Sequence, residues 1–267
     1  MKNLLSACCL VAGLVAAAPT AHAQTAVSFG ARLGLNVSNF SYKYGDIPAG
    51  LSNDASHITG VQVGGTANIS FGKLAFQPSV LFSRKGSQLK FTGSDSSNPP
   101  YTTTVTYTAT PKLQYLEIPL NLVYTSDGDH GFQLFAGPYV AMGVGGAGSS
   151  KLAITSTDPD IMNSGAVSSF PIGLTIEYGD RQNPNEQLNS GFGGGFSSTP
   201  NVIATFRRFD AGLNAGLGYR LGAYQLQLGY GLGLVNISPN DPEGNDTGGE
   251  IYNRTFHVSA NYFFGGR

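Results

Sequence analysis

Strict alternation of apolar with small polar residues constrains this chain more than any other feature. In residues 61–71, Val61, Val63, Gly65, Ala67, Ile69 and Phe71 alternate with Gln62, Gly64, Thr66, Asn68 and Ser70. A period of two sends successive side chains to opposite faces of a strand, so this is a sheet pattern and not a helical one. The same split recurs where Tyr224, Leu226, Leu228, Tyr230, Leu232 and Leu234 alternate with Gln225, Gln227, Gly229, Gly231 and Gly233. It recurs again where Phe256, Val258, Ala260, Tyr262 and Phe264 alternate with Thr255, His257, Ser259 and Asn261.

Such runs predict eight strands, over residues 27–39, 58–71, 74–91, 101–125, 132–143, 205–220, 223–237 and 251–264. Short turns carrying Gly or Asp join three pairs, at residues 71–73, 126–131 and 221–222. The other connections, residues 40–57, 92–100, 144–204 and 238–250, are long. Tight turns therefore fall at one end and long loops at the other, with both termini at the tight end. A soluble β-sandwich has no reason for that asymmetry, whereas an up-and-down transmembrane barrel has an even strand number and short turns on the periplasmic side.

The composition of the two faces says which one looks outward. Charged residues make 12% of the chain, about half the proportion of ordinary soluble domains. The polar face of the strands is mostly Gly, Ser, Thr, Asn and Gln. Small neutral side chains suit the crowded interior of a narrow eight-stranded barrel, and the apolar face then meets lipid. Closure is obligatory there, because an open sheet edge would leave backbone N–H and C=O groups unpaired in hydrocarbon. Phe29, Phe71, Tyr124, Phe132, Tyr219, Tyr224 and Phe264 lie beside the short turns and chain ends, as a periplasmic aromatic girdle requires. Phe40, Tyr42, Phe82, Phe206 and Tyr252 are assigned to a second girdle at the opposite ends.

Residues 1–23 read as a secretory signal peptide: Lys2, then an apolar stretch of 15 residues from Leu4 to Ala18, then Ala21-His22-Ala23 as a cleavage site before Gln24. Residues 24–267 form the barrel domain. The lipobox-like Leu5-Ser6-Ala7-Cys8 precedes the apolar stretch instead of ending it, so lipidation is not expected. Cys8 and Cys9 leave with the signal, which excludes a disulfide framework from the mature chain. Basic pairs are confined to Arg84-Lys85 and Arg207-Arg208, which argues against nucleic-acid binding.

Six ordered segments carry a resemblance. Residues 30–40 (Gly-Ala-Arg-Leu-Gly-Leu-Asn-Val-Ser-Asn-Phe), residues 76–86 closing on Arg84-Lys85-Gly86, and Tyr115-Leu116-Glu117-Ile118-Pro119-Leu120 come first. Phe135-Ala136-Gly137-Pro138-Tyr139, residues 209–219 and Gly231-Leu232-Gly233-Leu234-Val235-Asn236-Ile237 follow. In this order they resemble the PorT-like outer-membrane β-barrels, related to OmpA and OmpX barrels, over nearly the whole mature chain except residues 144–204. The resemblance implies fold and an outer-membrane location in a Gram-negative bacterium. It implies no activity, because sites and not folds carry function.

Inward parity nominates Arg32, Glu117, Arg208, Asp210 and His257 as lumen residues. A buried charge needs a partner, so these residues are expected to form a network of ion pairs plugging the lumen or to contact ordered water. No catalytic, cofactor or metal residues are assigned. His57, His130 and His257 lack a Ser and a carboxylate at matching depth. The acidic loop of residues 241–250 fails the calcium-loop pattern, with Asp246 where glycine and Tyr252 where glutamate is required, and reads as a solvated turn. Gly216-x-Gly218 sits inside a strand, away from any nucleotide loop. Residues 144–204 are expected to extend the barrel outward with a hairpin from residues 152–155 and 172–178, with ten strands as the alternative; Gly191-Phe192-Gly193-Gly194-Gly195-Phe196 reads as an external tip.

The sequence thus predicts a monomeric, all-β, eight-stranded outer-membrane barrel without enzymatic activity. Its partners would be outer-membrane lipids and an envelope or extracellular protein met by the external loops, in adhesion, envelope integrity or docking. A secretion-accessory barrel or narrow channel is the alternative, and an enzyme acting on lipid at the rim a more distant one.

Overall fold

A computed structural model describes residues 26–43, 51–96, 98–163, 169–183 and 201–264. The signal segment, both cysteines, residues 191–196 and the C-terminal Gly265-Gly266-Arg267 lie outside the described residues. The described residues form twelve strands: β1 (Ala26–Lys43), β2 (Leu51–Ser56), β3 (Ile58–Phe71), β4 (Leu74–Gly86), β5 (Gln88–Asp95), β6 (Thr103–Asp127), β7 (His130–Ser156), β8 (Ser169–Tyr178), β9 (Asn201–Phe206), β10 (Phe209–Leu221), β11 (Tyr224–Gly233) and β12 (Glu250–Phe264). One short helix, α1 (Pro159–Asn163), follows β7.

Eight of the twelve close a ring in the order β1, β3, β4, β6, β7, β10, β11, β12 and back to β1, every neighbour antiparallel. Closure has a measurable stagger. Following register partners from Val27 leads to Ile69, Phe76, Leu122, Ala136, Ala215, Tyr230 and Phe256, then returns to the first strand at Val37. The path climbs 37 − 27 = 10 residues per circuit. With ~3.3 Å per residue and ~4.8 Å between strands, a ten-residue stagger over eight strands tilts them by about 40° from the axis. Every residue on this path is apolar, and the path runs along the outside of the ring.

The other four strands correct the eight-strand expectation without entering the ring. The sequence reads residues 74–91 as one strand, but β4 stops at Gly86, and β5 pairs with the far half of β6 and with β2. Strand β7 continues well past residue 143, so that Thr103 pairs with Ser156 at the far end of the β6–β7 hairpin. Within residues 144–204, β7 pairs antiparallel with β8, and β8 pairs in parallel with β9. This segment extends the sheet beyond the ring and leaves the ring at eight. The break at Arg207 and Arg208 separates β9 from β10, where a single strand over residues 205–220 is expected.

Turn chemistry explains the tight end. Gly72, Gly128 and Gly222, with φ of 68°, 57° and 60°, each open a two-residue turn in which the second residue keeps a negative φ. Glycine at the first central position alone is the type II′ signature, whose twist matches that of the flanking strands.

Candidate functional site: the filled lumen

Outside the ring, large apolar side chains stand exposed on each of its eight strands. Phe29, Phe71, Tyr124, Phe132, Tyr219, Tyr224, Tyr262 and Phe264 lie near the tight end and are all exposed. Leu33, Val63, Leu217, Leu228 and Val258 are exposed above them. The second girdle needs correction. Phe40 and Phe206 are 1% and 5% exposed and face inward, packed at 5.8 Å between ring centroids. The physical reason is the same period of two: Phe40 shares parity with the inward Arg32 and Asn36.

Inside, the side chains fall into three layers. Nearest the tight end, neutral side chains hydrogen-bond across the whole ring. Gln225 on β11 donates from Nε2 to Gln133 Oε1 on β7 at 2.6 Å and to Gln77 Oε1 on β4 at 3.3 Å. Gln77 Nε2 donates to Asn68 Oδ1 at 2.7 Å, Asn68 Nδ2 to Ser70 Oγ at 2.8 Å, and Gln133 Nε2 to Thr125 Oγ1 at 2.9 Å. The continuous chain from Ser70 to Thr125 spans five strands. Amide groups suit this role because each carries both donors and an acceptor, so a chain can cross a narrow space without net charge.

The charged layer comes next. Lys85 Nζ lies 2.6 Å from Glu117 Oε2, with both side chains buried. The same ammonium sits 4.5 Å from the centroid of the Tyr139 ring and 5.9 Å from that of Tyr115. Tyr139 donates its hydroxyl to Asp210 Oδ2 at 3.1 Å, and Asn253 Nδ2 donates to the same oxygen at 2.9 Å. Lys85, Glu117, Tyr139, Asp210 and Asn253 thus form one cluster drawn from β4, β6, β7, β10 and β12. Arg32 and His257 are buried below it, with Arg32 Nε and His257 Nε2 making no hydrogen bond among the described residues.

A third layer is apolar. Phe40, Leu113, Tyr115, Tyr139, Ala141, Phe206 and Ile237 form a buried cluster, with Tyr178 and Ile251 packed against it. It closes the end from which the long connections emerge. The ring is filled by its own residues from floor to cap.

Glycine makes this filling geometrically feasible. The Phe135 ring lies where a Cβ on Gly216 or Gly229 would stand, at 2.5 Å and 2.7 Å from its Cζ. Two adjacent glycines on β10 and β11, partners in register, give one aromatic ring its seat.

With this geometry in view, comparison decides the kinship. Residues 22–238 match the outer membrane protein beta-barrel domain. The chain belongs to that family. Among solved structures, the chain is similar to Ail, the attachment invasion locus protein of Yersinia pestis, in complex with the heparin analogue sucrose octasulfate. That match has 10% identity and a TM-score of 0.32, covering 89% of this chain and 99% of that one. Neisserial surface protein A (NspA) has 8% identity and a TM-score of 0.35 over 89% and 98%. The NanC porin has 8% identity and a TM-score of 0.24 over 88% and 98%. Likenesses of this strength carry no argument about function. No curated protein sequence matches the chain.

Within this outer-membrane barrel domain, four of the five residues nominated from sequence lie inside: Arg32, Glu117, Asp210 and His257. Arg208 does not join them. It is exposed on the link between β9 and β10, where the strand alternation on which its placement depended is interrupted. Lys85 is the second cation of the layer, and its place was legible, since it continues the inward set Ala75, Gln77, Ser79, Leu81 and Ser83 of β4. Tyr139 and Asn253 were missed because tyrosine and asparagine draw no attention as charge partners. His57, His130 and His257 are scattered: His57 is exposed between β2 and β3, His130 is exposed at the start of β7, and His257 is inside. The acidic loop is a turn held by Asp241, which accepts from Asn245 N at 2.6 Å and Asn245 Nδ2 at 3.0 Å. The Asn245 side chain holds the Asp241 carboxyl below its ordinary pKa.

Proposed function

We propose that this protein is an eight-stranded transmembrane barrel of the outer membrane that works as a sealed, non-enzymatic scaffold. Its external sheet would be presented for adhesion, envelope integrity or the docking of an envelope or extracellular partner. The observation that carries the reading is the contrast between the two sides of one closed ring, apolar from Val27 round to Val37 outside and hydrogen-bonded or ion-paired inside. The outward apolar positions of β1 run from Val27 to Val37, and a span of that length at a tilt of about 40° gives an apolar band about 25 Å tall, the height of a barrel's lipid-facing belt. The strands β5, β8 and β9 and the far halves of β6 and β7 rise beyond that band and supply the surface for a partner. The ordered motifs favour a PorT-like relative within the wider family, and the dispersed histidines favour a non-catalytic role.

Fractionation tests the membrane assignment. The protein should sediment with outer membranes and migrate faster on gels before boiling than after; recovery as a soluble periplasmic protein would sink the reading. Planar-bilayer recording separates the scaffold from a channel, since steady conductance well above background would contradict a sealed lumen. Hydrolysis or deacylation of lipid A by the purified protein would overturn the non-enzymatic role.

A further inference from the structure

Directly beyond the apolar band, on one side of the ring, outward positions change from apolar to cationic. On β4 the outward Phe82 is followed two residues later by Arg84, and on β12 Arg254 lies two residues beyond Phe256. On β6 Lys112 lies four residues beyond Leu116, and on β1 Lys43 lies six beyond Val37. These four cations lie on β6, β4, β1 and β12, which together with β3 are consecutive in the ring.

Among the described residues, carboxylates neutralise little of this arc: only Lys43 has one, Glu250 Oε2 at 3.1 Å. Arg84 pairs in register with Gln114, and Lys112 with Gly86 and Ala147. Arg254 pairs with Leu232 and Asn39, and its Nη1 donates to the carbonyls of Gly233 and Asn253. Lys43 Nζ and Arg254 Cζ both approach the Tyr252 ring, at 5.2 Å and 5.6 Å from its centroid. The opposite half of the ring carries apolar groups on its outward face toward the same end: Val144, Phe209 and Leu234 are all exposed. That half also exposes Arg208, one residue beyond Phe209, and Lys151 on β7, so cations are denser on the arc without being confined to it.

We propose that this arc, centred on Arg84, Lys112 and Arg254, binds the phosphate-bearing headgroups of lipids in the leaflet at the long-loop end. The inference rests on the membrane-spanning reading above. Long cationic side chains rooted at the edge of an apolar wall lay their stems on it and place their charge at headgroup depth. Guanidinium groups offer paired donors that match phosphate oxygens, and Tyr252 supplies the amphipathic ring that favours this interface. Each cation near an anionic membrane surface changes lipid preference by about fivefold.

The test uses the full chain reconstituted in phosphatidylcholine bilayers containing spin-labelled phosphatidic acid or, separately, spin-labelled phosphatidylcholine. The wild type should hold a motionally restricted lipid population that favours phosphatidic acid several-fold. R84Q/K112Q/R254Q should lose that preference while keeping its fast gel migration, and K73Q, at the tight-turn end, should keep it. Equal restriction of the two labels by the wild type, or an unchanged preference in the triple variant, overturns the proposal. Loss of the preference in millimolar inorganic phosphate at constant ionic strength also overturns it, in favour of a free-anion site. Absence of any restricted lipid would instead refute the membrane-spanning reading itself.

Discussion

Lys85 and Glu117 meet at 2.6 Å in the middle of the ring although they are not register partners: Lys85 pairs with Leu113, four residues before Glu117 on β6. The ammonium reaches diagonally along the lumen wall and leaves the tyrosine faces on its flank.

Removing one member of this pair should cost far more than removing both. Lys85→Met leaves the Glu117 carboxylate buried without its partner and should destabilise the protein by about 3–5 kcal/mol. K85M/E117L should be markedly milder, because an apolar pair of similar volume needs no compensation. Urea titrations followed by loss of the compact gel form would check this, and equal losses in the two variants would count against a paired charge in the lumen.

The seat of Phe135 gives a packing prediction. Gly216→Val places side-chain atoms where Phe135 Cζ and the Leu228 carbonyl now stand. Overpacking of this kind costs about 1–3 kcal/mol. Combined with Phe135→Leu, which vacates the site, the penalty should fall below the sum of the two single changes. Strict additivity in a double-mutant cycle would mean that the ring and the glycine are not in contact.

The outer wall can be probed at Leu228, which pairs in register with Leu217 and Val258 near the middle of the band. Leu228→Arg should cost about 2–4 kcal/mol in bilayers, the value for a cation on the lipid face at mid-depth. In contrast, Leu234→Arg, at the far edge of the band, should be nearly neutral. Folding equilibria in vesicles would measure both, and identical costs would remove the depth dependence that a membrane band requires.

Acid and alkali should each loosen the link between the first and last strands. The hydrogen bond from Lys43 holds the Glu250 carboxyl below its ordinary value of 4.5, while Glu250 holds the Lys43 ammonium above 10.5. A lowered carboxyl contributes stability above its unfolded pKa and loses it as pH falls through the folded one. A raised ammonium contributes below its unfolded pKa and loses it as pH rises through the folded one. The contribution is therefore present between about pH 4.5 and 10.5 and fades on both sides, and high salt should flatten it because the pair is exposed. Proteolysis of the connection between β11 and β12 should be slowest in that window for the wild type, and Lys43→Met should remove the alkaline limb and weaken the acid one, where Tyr252 still holds the Glu250 carboxyl down.

Much of this protein is set by the period of its sequence. Alternation alone determined that the chain forms strands, which face of each is apolar, where the three tight turns fall, and that Arg32, Glu117, Asp210 and His257 share an inward parity. The same parity already placed Phe40 inside and Lys85 beside the other charges. Tertiary structure decided which inward residues meet. Parity holds only while a strand is unbroken, so the interruption at Arg207 and Arg208 removed Arg208 from the lumen. The partners of Lys85 and Asp210 depend on a stagger of ten residues per circuit, a property of closure to which all eight ring strands contribute. A local pattern specifies a face, whereas contacts such as Tyr139 to Asp210, 71 residues apart in the chain, exist only once the ring has closed.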